Sequence, residues 1–381
     1  MVKPRTPAAS RARLRVLCVI GTRPEAIKMA PVILALRERA ERFRTRVVLT
    51  AQHREMSDQV LALFRIRPDH DLNLMKPEQT LFDTTAGLVK GLEGVYRAER
   101  PDLVLVQGDT TTTFVGALAA FYLGIRVGHV EAGLRTADKA NPFPEEINRR
   151  LASHVADFHF APTETARRAL LAEGVSREAI WVTGNTVIDA LMQTARALPK
   201  RALAGVPGLD PARRVVLVTA HRRENWGEPL EQICLALRDL ARAFLADAQV
   251  VFPVHPNPKV RRVATRVLGR EPNVLLLPPL EYRPFVALMQ RSTLILTDSG
   301  GVQEEAPSLG KPVLVMRRKT ERPEAVRAGT VRLVGTDRAR IVAEAARLLT
   351  DARAYRAMAR RKNPYGDGKA AGRIVRVLAG I

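Results

Sequence analysis

Residues 14–39, LRVLCVIGTRPEAIKMAPVILALRER, set the pattern for the whole chain. The stretch opens with a continuous apolar run, Leu14–Ile20, which is typical of a strand buried inside a parallel sheet. Gly21 and Pro24 then end the run, and proline suits the first turn of a helix. Apolar residues at helical spacing follow over residues 25–39. The stretch therefore predicts one strand–turn–helix unit of an α/β protein.

The same alternation recurs along both halves of the chain. Further strands are predicted at 46–50, 103–106, 127–130, 158–161, 215–219, 250–254, 274–277, 294–297, 313–316 and 331–334. Helical patterns occupy 81–98, 111–123, 145–155, 229–244, 259–267, 284–289, 302–309 and 338–349. Strands that alternate with helices in this way predict parallel sheets covered by helices on both faces.

The length of 381 residues suggests two domains of ordinary size. Residues 198–214 combine Pro, Gly and charged residues and interrupt the alternation, so we place the linker there. We predict two Rossmann-like, doubly wound α/β domains, over residues 14–200 and 201–364, that face each other across a cleft. Residues 365–381 contain a turn and a last helix that could cross back to the first domain. The basic residues 1–13 are predicted to be a disordered extension.

The net charge is +22, from 61 Lys and Arg against 39 Asp and Glu. A charge of this size could indicate a nucleic-acid-binding protein. The basic residues are spread along the whole chain, however, and aromatic residues make up only 5%, which leaves few platforms for stacking bases. The composition therefore favours attraction of an anionic small molecule over binding of nucleic acid.

Several common classes of protein find no support in the sequence. No apolar run reaches the roughly 20 residues of a membrane helix, and the run Leu14–Ile20 lacks the cleavage site of a signal peptide. The two cysteines, Cys18 and Cys234, lie in apolar segments and form no CxxC motif or Cys/His cluster. We therefore predict a cytoplasmic protein with buried thiols, no membrane insertion and no metal site.

Charged residues follow the strands of the first half, where Rossmann-like sheets bind ligands. Arg23 would lie at a helix N-terminus, where its charge could meet a phosphate, and Lys28 lies about one turn further along. The alternative is a capped helix with a surface arginine. Either Thr110 or Asp109 could simply cap a helix, and Glu145 could complement a helix dipole. If Asp109, Glu131 and Glu145 instead converge, they can supply the acid and base of proton transfer.

Two histidines of the second half, His221 and His255, each directly follow a predicted strand. His221 could donate a proton or a hydrogen bond to a phosphate, although single histidines are more often structural. The basic segment 317–324 follows another strand and brings Arg322 to the same edge.

The segment TDSGGVQEEA, residues 297–306, ends a strand and begins a helix. Gly300 and Gly301 would let backbone N–H groups approach an anion at the helix N-terminus, and Ser299 could also bond a phosphate. Glu305, further along the helix, could accept from ribose hydroxyls. The alternative is a plain turn.

Ten segments in this order closely resemble the non-hydrolysing UDP-N-acetylglucosamine 2-epimerases. They are GTRPEAIKMAP, TAQHREMSDQV, GDTTTT, GHVEAGLRT, PEEINRR, TGNTVIDAL, TAHRREN, TDSGGVQEEAPSLGKPVLVMR, TERPEAVRAGTVRLVGT and NPYGDG. The resemblance covers nearly the whole chain from about Leu14. The basic N-terminal extension and the high arginine content lie outside the pattern of the family.

The resemblance implies a glycosyltransferase-B-like fold in which the C-terminal domain binds most of the UDP. It implies reversible epimerisation of UDP-GlcNAc and UDP-ManNAc at C2, without a metal, a nicotinamide or another cofactor. In the family, UDP leaves as the C2 proton is removed, and it adds back to 2-acetamidoglucal after C2 is reprotonated on the other face. The resemblance also implies a homodimer and, for bacterial members, activation by UDP-GlcNAc at a neighbouring site.

The motifs of the family also imply roles for individual residues. Those in catalytic positions are Asp109, Glu131, Glu145 and His221. Those in substrate-binding positions are Arg23, Lys28, Ser299, Gly300, Gly301, Glu305 and Arg322. Those matching the activator site are Gln52, Gln79, Arg222 and His255. Which carboxylate is the base and which the acid stays open.

Three other functions remain as alternatives. A hydrolysing epimerase would release free ManNAc and UDP, but this chain carries no kinase-like extension. A glycosyltransferase of the same fold would need an acceptor site. A non-catalytic binder of nucleotide sugars or nucleic acid would not require the three carboxylates.

Overall fold

The computed structural model describes residues 13–50, 54–74, 78–136, 138–199, 201–203 and 206–381. Gln52 and residues 1–12 of the predicted extension lie outside these ranges. The chain divides into two compact units. Met1–Thr186 together with Lys369–Ile381 form the first unit, and Val187–Gly368 form the second.

The first unit contains a parallel sheet flanked by helices. Its strands are β1 (Leu14–Ile20), β2 (Phe43–Leu49), β3 (His70–Asp71), β4 (Leu103–Gln107), β5 (Arg126–Val130), β6 (Phe158–Ala161) and β7 (Ile180–Val182). Its helices up to β7 are α1 (Arg23–Arg37), α2 (Arg54–Leu63), α3 (Leu81–Glu99), α4 (Thr111–Tyr122), α5 (Glu145–Val155) and α6 (Glu164–Ala172). The strands are hydrogen-bonded in the order β3-β2-β1-β4-β5-β6-β7.

The apolar character of β1 explains its central place in this sheet. Residues 16–20 are all buried, and β1 pairs in parallel with β2 on one side and β4 on the other. Because all the strands are parallel, their carboxyl ends meet at one edge. Gln107 at the end of β4 pairs with Val130 at the end of β5, so the residues that follow these two strands are neighbours.

The second unit repeats the design with six parallel strands. They are β8 (Arg214–Thr219), β9 (Ala248–Pro253), β10 (Val274–Leu277), β11 (Leu294–Thr297), β12 (Val313–Val315) and β13 (Val331–Leu333), in the order β10-β9-β8-β11-β12-β13. Its helices are α7 (Thr186–Arg196), α8 (Glu228–Ala243), α9 (Pro258–Leu268), α10 (Tyr282–Arg291), α11 (Gly300–Glu305), α12 (Pro323–Ala328), α13 (Arg338–Thr350) and α14 (Ala352–Ala359). A short 3-10 turn, Ala306–Leu309, follows α11 directly.

The last helix, α15 (Ala370–Leu378), belongs to the first unit and packs against α1. Arg373 Nη1 of α15 donates to the carbonyl oxygen of Thr183 at 2.9 Å. The first unit ends at Thr186, which is also the first residue of α7, whereas the sequence predicts the linker at 198–214. Met192 of α7 lies against Gly368, a residue of the second unit, and this packing is not visible in the composition of the segment.

The predicted α/β class with parallel sheets is confirmed, because both sheets are parallel throughout and carry helices between successive strands. Cys18 and Cys234 are free and buried, as the sequence indicates. Among the helices that the structure describes, none combines the length and the hydropathy that crossing a membrane requires.

Candidate active site

A buried carboxylate organises the turn between β1 and α1. Glu25 accepts hydrogen bonds from the backbone N–H groups of Gly21 (2.9 Å) and Thr22 (2.5 Å). The hydroxyls of Thr110 and Thr113 donate to its other oxygen at 2.6 and 3.1 Å. Burial raises the pKa of Glu25, and these hydrogen bonds oppose the shift. Glu25 therefore ties together the loops that follow β1 and β4.

Glu131, which follows β5, forms a buried ion pair with Lys28 of α1. The distance from Lys28 Nζ to Glu131 Oε2 is 2.5 Å, and Gln107 Nε2 donates to the same oxygen. Glu131 has a backbone φ of +65°, a conformation that residues other than glycine rarely adopt. Arg23, the first residue of α1, is half-buried and has no ion pair within the described part of the chain. Lys28 and Glu131 are thus brought together, and Arg23 remains available to an anion.

Asp109, two residues after β4, is held by α5. Arg149 donates through Nε to Asp109 Oδ2 at 2.9 Å, and its Nη2 lies 2.8 Å from the same oxygen. Asn148 Nδ2 donates to the backbone carbonyl of Asp109 at 3.0 Å. The cap of α4 is Thr110, whose hydroxyl accepts from the N–H of Thr113. The capping alternative is therefore wrong for Asp109, whose carboxylate faces a cation instead.

Glu145 and its neighbour Glu146 have different surroundings, although both begin α5. Glu146 is fully buried and pairs with Arg149 at 3.0 Å and with Arg150 at 3.3 Å. Glu145 has a buried oxygen, Oε2, that makes no hydrogen bond to any residue that the structure describes. Asp109 and Glu146 therefore share one arginine, while Glu145 lies at the start of the same helix with unused acceptor capacity.

A buried histidine lies behind these carboxylates. His129 on β5 is fully buried, and its Nε2 is 2.7 Å from the carbonyl oxygen of Gly108. The N–H of Gly108 in turn donates to the carbonyl of Val130 at 3.0 Å. Burial lowers the pKa of His129 to about 4, so the ring is neutral at pH 7. His129 thus fixes the turn that precedes Asp109, a contact that could not be predicted from the order of residues.

In the second unit, His221 follows β8 and is held by Asp298, which follows β11. Asp298 is completely buried, and His221 Nδ1 lies 3.2 Å from its Oδ1. The backbone N–H groups of His221 and Arg222 both donate to Oδ2 at 2.9 Å. Asn225 Nδ2 donates to the same oxygen at 3.0 Å. Sequence reasoning missed Asp298, although it immediately precedes the predicted Ser299.

Two other predicted residues surround His221. The ring of His255 stacks on that of His221, with 5.9 Å between ring centroids and 18° between the planes. Burial lowers the pKa of His221; Asp298 opposes this shift, whereas Arg222 and His255 add to it. Arg222 Nη2 lies 3.8 Å from Glu321 Oε2.

The turn before α11 has two guanidinium groups beside it. A methyl group placed on Gly300 would lie 3.6 Å from Arg222 Nη2 and 3.9 Å from Cζ of Arg322. The Nε of Arg322 donates to the buried carboxylate of Glu304. The same turn carries the hydroxyl of Ser299, which would lie 3.9 Å from a methyl group placed on Gly301. The predicted anion-binding turn is thus cationic, as its assigned role requires.

Glu305 lies further along α11, as predicted, and is its last residue. It is buried, and its Oε1 accepts a hydrogen bond of 2.7 Å from the hydroxyl of Tyr282 on α10. Tyr282 is a residue that the sequence analysis did not single out.

Arg317, the first residue of the basic segment predicted to follow β12, forms a second cationic centre. Its guanidinium pairs with Glu224 at 2.6 Å and with Glu321 at 2.7 Å. Burial opposes ionisation of Glu321, but the Arg317 guanidinium outweighs it and lowers the pKa of Glu321 to about 2. Glu321 therefore stays charged and helps to hold Arg222 beside the turn.

Of the residues predicted for an activator site, Arg222 and His255 both adjoin His221 in the second unit. Gln79 lies in the first unit, just before α3, and its Nε2 donates to the carbonyl of Leu74 at 2.9 Å. Within the described ranges, no three His, Cys, Asp or Glu side chains are arranged to hold a metal ion.

The two units offer different chemistry. The carboxyl edge of the first sheet gathers carboxylates and the cations that partner them, which suits proton transfer. The carboxyl edge of the second sheet gathers a histidine, two arginines and a glycine turn, which suits a phosphorylated ligand.

Known proteins resemble this chain in both sequence and fold. The family model for UDP-N-acetylglucosamine 2-epimerase matches residues 35–379. The UDP-N-acetylglucosamine 2-epimerase of Escherichia coli strain K12 is 56% identical over 371 residues, covering 96% of this chain and 98% of that protein. The Bacillus subtilis strain 168 enzyme of the same name is 53% identical over 366 residues, with 96% and 95% covered.

The fold comparison gives the same result. The structure of the UDP-GlcNAc 2-epimerase of Neisseria meningitidis bound to UDP-GlcNAc superposes with a TM-score of 0.89 at 50% identity, covering 97% of this chain and 100% of that one. A family model that matches most of the chain and relatives above 50% identity agree with the motifs and with the geometry of both sheet edges. The chain therefore belongs to the UDP-N-acetylglucosamine 2-epimerase family.

Proposed function

We propose that the protein interconverts UDP-GlcNAc and UDP-ManNAc by reversible epimerisation at C2. The observation that carries this proposal is the group of three carboxylates, Asp109, Glu131 and Glu145, on the first unit of a chain of this family. Inversion at a C–H centre needs a base on one face of the sugar and an acid on the other, and carboxylates can serve as both.

The proposed reaction proceeds by elimination and re-addition. A carboxylate takes the C2 proton while the C1–O bond to UDP breaks, and the C–H electron pair becomes the C1–C2 double bond of 2-acetamidoglucal. The C1–O electron pair leaves with UDP. Protonation of C2 on the opposite face and addition of the UDP oxygen to C1 then give UDP-ManNAc. The steps balance without an external oxidant or reductant, and we propose that neither a metal nor another cofactor takes part.

The three carboxylates differ in their surroundings, which suits them to act separately as acid and base. Asp109 and Glu131 each have a cationic partner, Arg149 and Lys28 respectively. Glu145 has a buried oxygen without a hydrogen bond to the described residues. Carboxylates in unlike surroundings are what a pair of acid and base requires.

The leaving group is a diphosphate, and donors aimed at its developing charge lower the barrier. We assign this role to side chains and backbone N–H groups that are cationic or can donate. They are Arg23, Lys28, His221, Ser299, Gly300, Gly301 and Arg322. The buried carboxylate of Glu305 is assigned to the ribose hydroxyls.

We further propose that UDP-GlcNAc activates the protein through Gln52, Gln79, Arg222 and His255. The stacking of His255 on His221 supports this assignment, because it places a residue of the activator set in contact with a catalytic one.

We also propose a cytoplasmic homodimer that binds no nucleic acid. Helices α4 and α5 pack side by side and leave Phe121, Tyr122 and Leu151 exposed. Exposed aromatic and aliphatic side chains on neighbouring helices are typical of a surface that a second protein covers.

Proton NMR of UDP-GlcNAc with the pure protein in D2O, without added metal or NAD, tests the reaction. We expect UDP-ManNAc with deuterium at C2, since the proton is exchanged with solvent during the elimination. Free ManNAc together with UDP would instead identify a hydrolysing epimerase. An unchanged spectrum, with binding of UDP-GlcNAc shown separately, would point to a transferase or a sensor.

A further inference from the structure

We infer that Asp298 is a positioning residue for His221, which holds the imidazole by Nδ1 and leaves Nε2 as the nitrogen that contacts the departing diphosphate. The inference rests on the epimerisation proposed above. It deepens that proposal by assigning an orientation and a tautomer to His221.

One carboxylate holds both the main chain and the side chain of His221. Asp298 is completely buried, and the N–H of His221 lies 3.1 and 2.9 Å from its two oxygens. The N–H of Arg222 and the Nδ2 of Asn225 complete the set at 2.9 and 3.0 Å. The imidazole Nδ1 is 3.2 Å from Oδ1. The backbone of His221 is therefore fixed by Asp298, and its Nδ1 lies within ion-pair distance of the same carboxylate.

The Asp298 carboxylate favours one tautomer of the His221 imidazole. The other groups that the structure describes around the Asp298 carboxylate are all N–H donors, so the carboxylate acts as an acceptor. A carboxylate oxygen 3.2 Å from Nδ1 repels a lone pair on that nitrogen, so we infer that the neutral ring is the Nδ1–H form. The opposite nitrogen, Nε2, is then the one that remains for a ligand, and the His221 side chain is 38% exposed.

The charge of the ring follows from the same contact. With a second proton on Nε2, His221 becomes an imidazolium that can donate to a diphosphate oxygen. Burial, Arg222 and His255 all disfavour this cation, and Asp298 opposes them. Without Asp298, His221 would lose the one described neighbour that offsets these effects, at the step where negative charge develops on UDP.

A double-mutant cycle separates this role from a general structural one. We expect Asp298→Asn to lower kcat by about 10- to 100-fold with little change in KM, because the contact strengthens only as the leaving group gains charge. We expect His221→Asn to lose at least as much, and the double variant to lose no more than His221→Asn alone. Losses that multiply in the double variant would show that Asp298 acts independently of His221, and would overturn the inference.

Asn225→Ala is the matched control. Asn225 donates to the same Asp298 oxygen and to the carbonyl of Met316 (3.2 Å), so the variant removes loop scaffolding and leaves both contacts between Asp298 and His221. We expect its kcat to fall less than that of Asp298→Asn, because the contacts between Asp298 and His221 remain. A fall as large as that of Asp298→Asn would show that loop order alone explains the effect.

A measurement on the wild-type protein keeps the inference testable if Asp298→Asn fails to fold. Histidine ¹⁵N NMR, with the His221 signals identified by their absence in His221→Asn, reports which ring nitrogen carries a proton. We expect a protonated Nδ1 both without ligand and with UDP. A bare Nδ1 with a protonated Nε2 would overturn the inference. Because this readout needs no turnover, it separates failure of the Asp298 assignment from failure of the proposed reaction.

Discussion

Lys28 Nζ lies 2.5 Å from Glu131 Oε2, and the two side chains are 17% and 4% exposed. The pair joins α1 to the residue that follows β5, and Glu131 adopts a positive φ at the same point. A backbone conformation of this kind costs about 1–3 kcal/mol and persists where the surroundings hold it, most often at functional sites. The ion pair is therefore part of what holds Glu131 in place.

Lys28→Met should destabilise the protein and slow turnover, because it leaves the buried Glu131 carboxylate without its cation. Breaking a buried pair in this way costs about 3–5 kcal/mol. Urea unfolding measures the loss. The control is Lys90→Met on α3, where the lysine side chain is 83% exposed and 3.6 Å from Glu93, and there we expect a change within about 0.5 kcal/mol. Equal stability of the two variants would contradict the role given to the Lys28 pair.

Asp109→Asn should abolish most turnover while UDP still binds. A general acid or base contributes about 10²-fold or more, and UDP is assigned mainly to residues of the second unit. Turnover is followed by NMR and UDP binding by calorimetry. Asp102→Asn is the control, because Asp102 also pairs with an arginine, Arg15 at 2.7 Å, but precedes β4 at the opposite edge of the sheet. Turnover of Asp109→Asn at the wild-type rate would remove Asp109 from the mechanism.

Gly21→Ala and Gly87→Ala should change stability in opposite directions. A methyl group on Gly21 would lie 2.3 Å from Thr112 Oγ1, so the turn that carries Arg23 must shift, at a cost of about 1–3 kcal/mol. Gly87 lies inside α3 with no described atom within 4 Å of the added carbon. There alanine should stabilise the helix by about 0.5–1 kcal/mol. Thermal unfolding of both variants checks the prediction, which fails if Gly21→Ala melts at or above the wild-type temperature.

Acid should destabilise the wild type more than His129→Gln. The pKa of His129 is lowered to about 4 in the folded protein, so between the unfolded value of about 6.5 and pH 4 the unfolded chain binds the proton more readily. The stability contributed by the neutral ring is therefore full above pH 6.5 and falls as the pH drops. By pH 4.5 the loss should reach about 2–3 kcal/mol. Urea unfolding from pH 7.5 to 4.5 measures it, and parallel curves for the two proteins would refute the assignment.

Phe121→Glu should convert the proposed dimer to a monomer, because a charge on the exposed end of α4 cannot be buried against a second copy. Sedimentation velocity measures the mass in solution. Leu245→Glu replaces another exposed apolar residue, 47% exposed in the second unit, and should leave the mass unchanged. A dimer that survives Phe121→Glu would place the interface elsewhere.

Much of the fold could be predicted because buried parallel strands are continuous apolar runs. The bounds of β1 and β6 agree with the sequence prediction, and α5 also has the predicted bounds. The edge strands β3 and β7, of two and three residues, were not predicted. The helix predicted at 302–309 instead begins at Gly300 and changes to a 3-10 turn after Glu305, close to Pro307.

The candidate site could be predicted only as positions along the chain. Each predicted residue follows a strand because parallel strands end at one edge. Their partners could not be predicted, because these partners are distant in sequence: Lys28 and Glu131 are 103 residues apart, and His221 and Asp298 are 77 apart. The motif around Asp298 predicts an anion site through its serine and glycines. Nothing in the motif indicates that Asp298 is buried and anchors the neighbouring loop.

The packing of α15 against α1 has a consequence for how the chain folds while the ribosome synthesises it. The second unit interrupts the first, so all of Val187–Gly368 is synthesised before α15 leaves the exit tunnel. Ile374, Val375 and Leu378, which are buried in the finished protein, are therefore missing while the rest of the first unit collapses. Because synthesis runs from the N-terminus, the second unit can complete its folding first. Until α15 emerges, the apolar side of α1 in the first unit stays exposed. At that stage the nascent chain exposes apolar surface of the kind that chaperones bind.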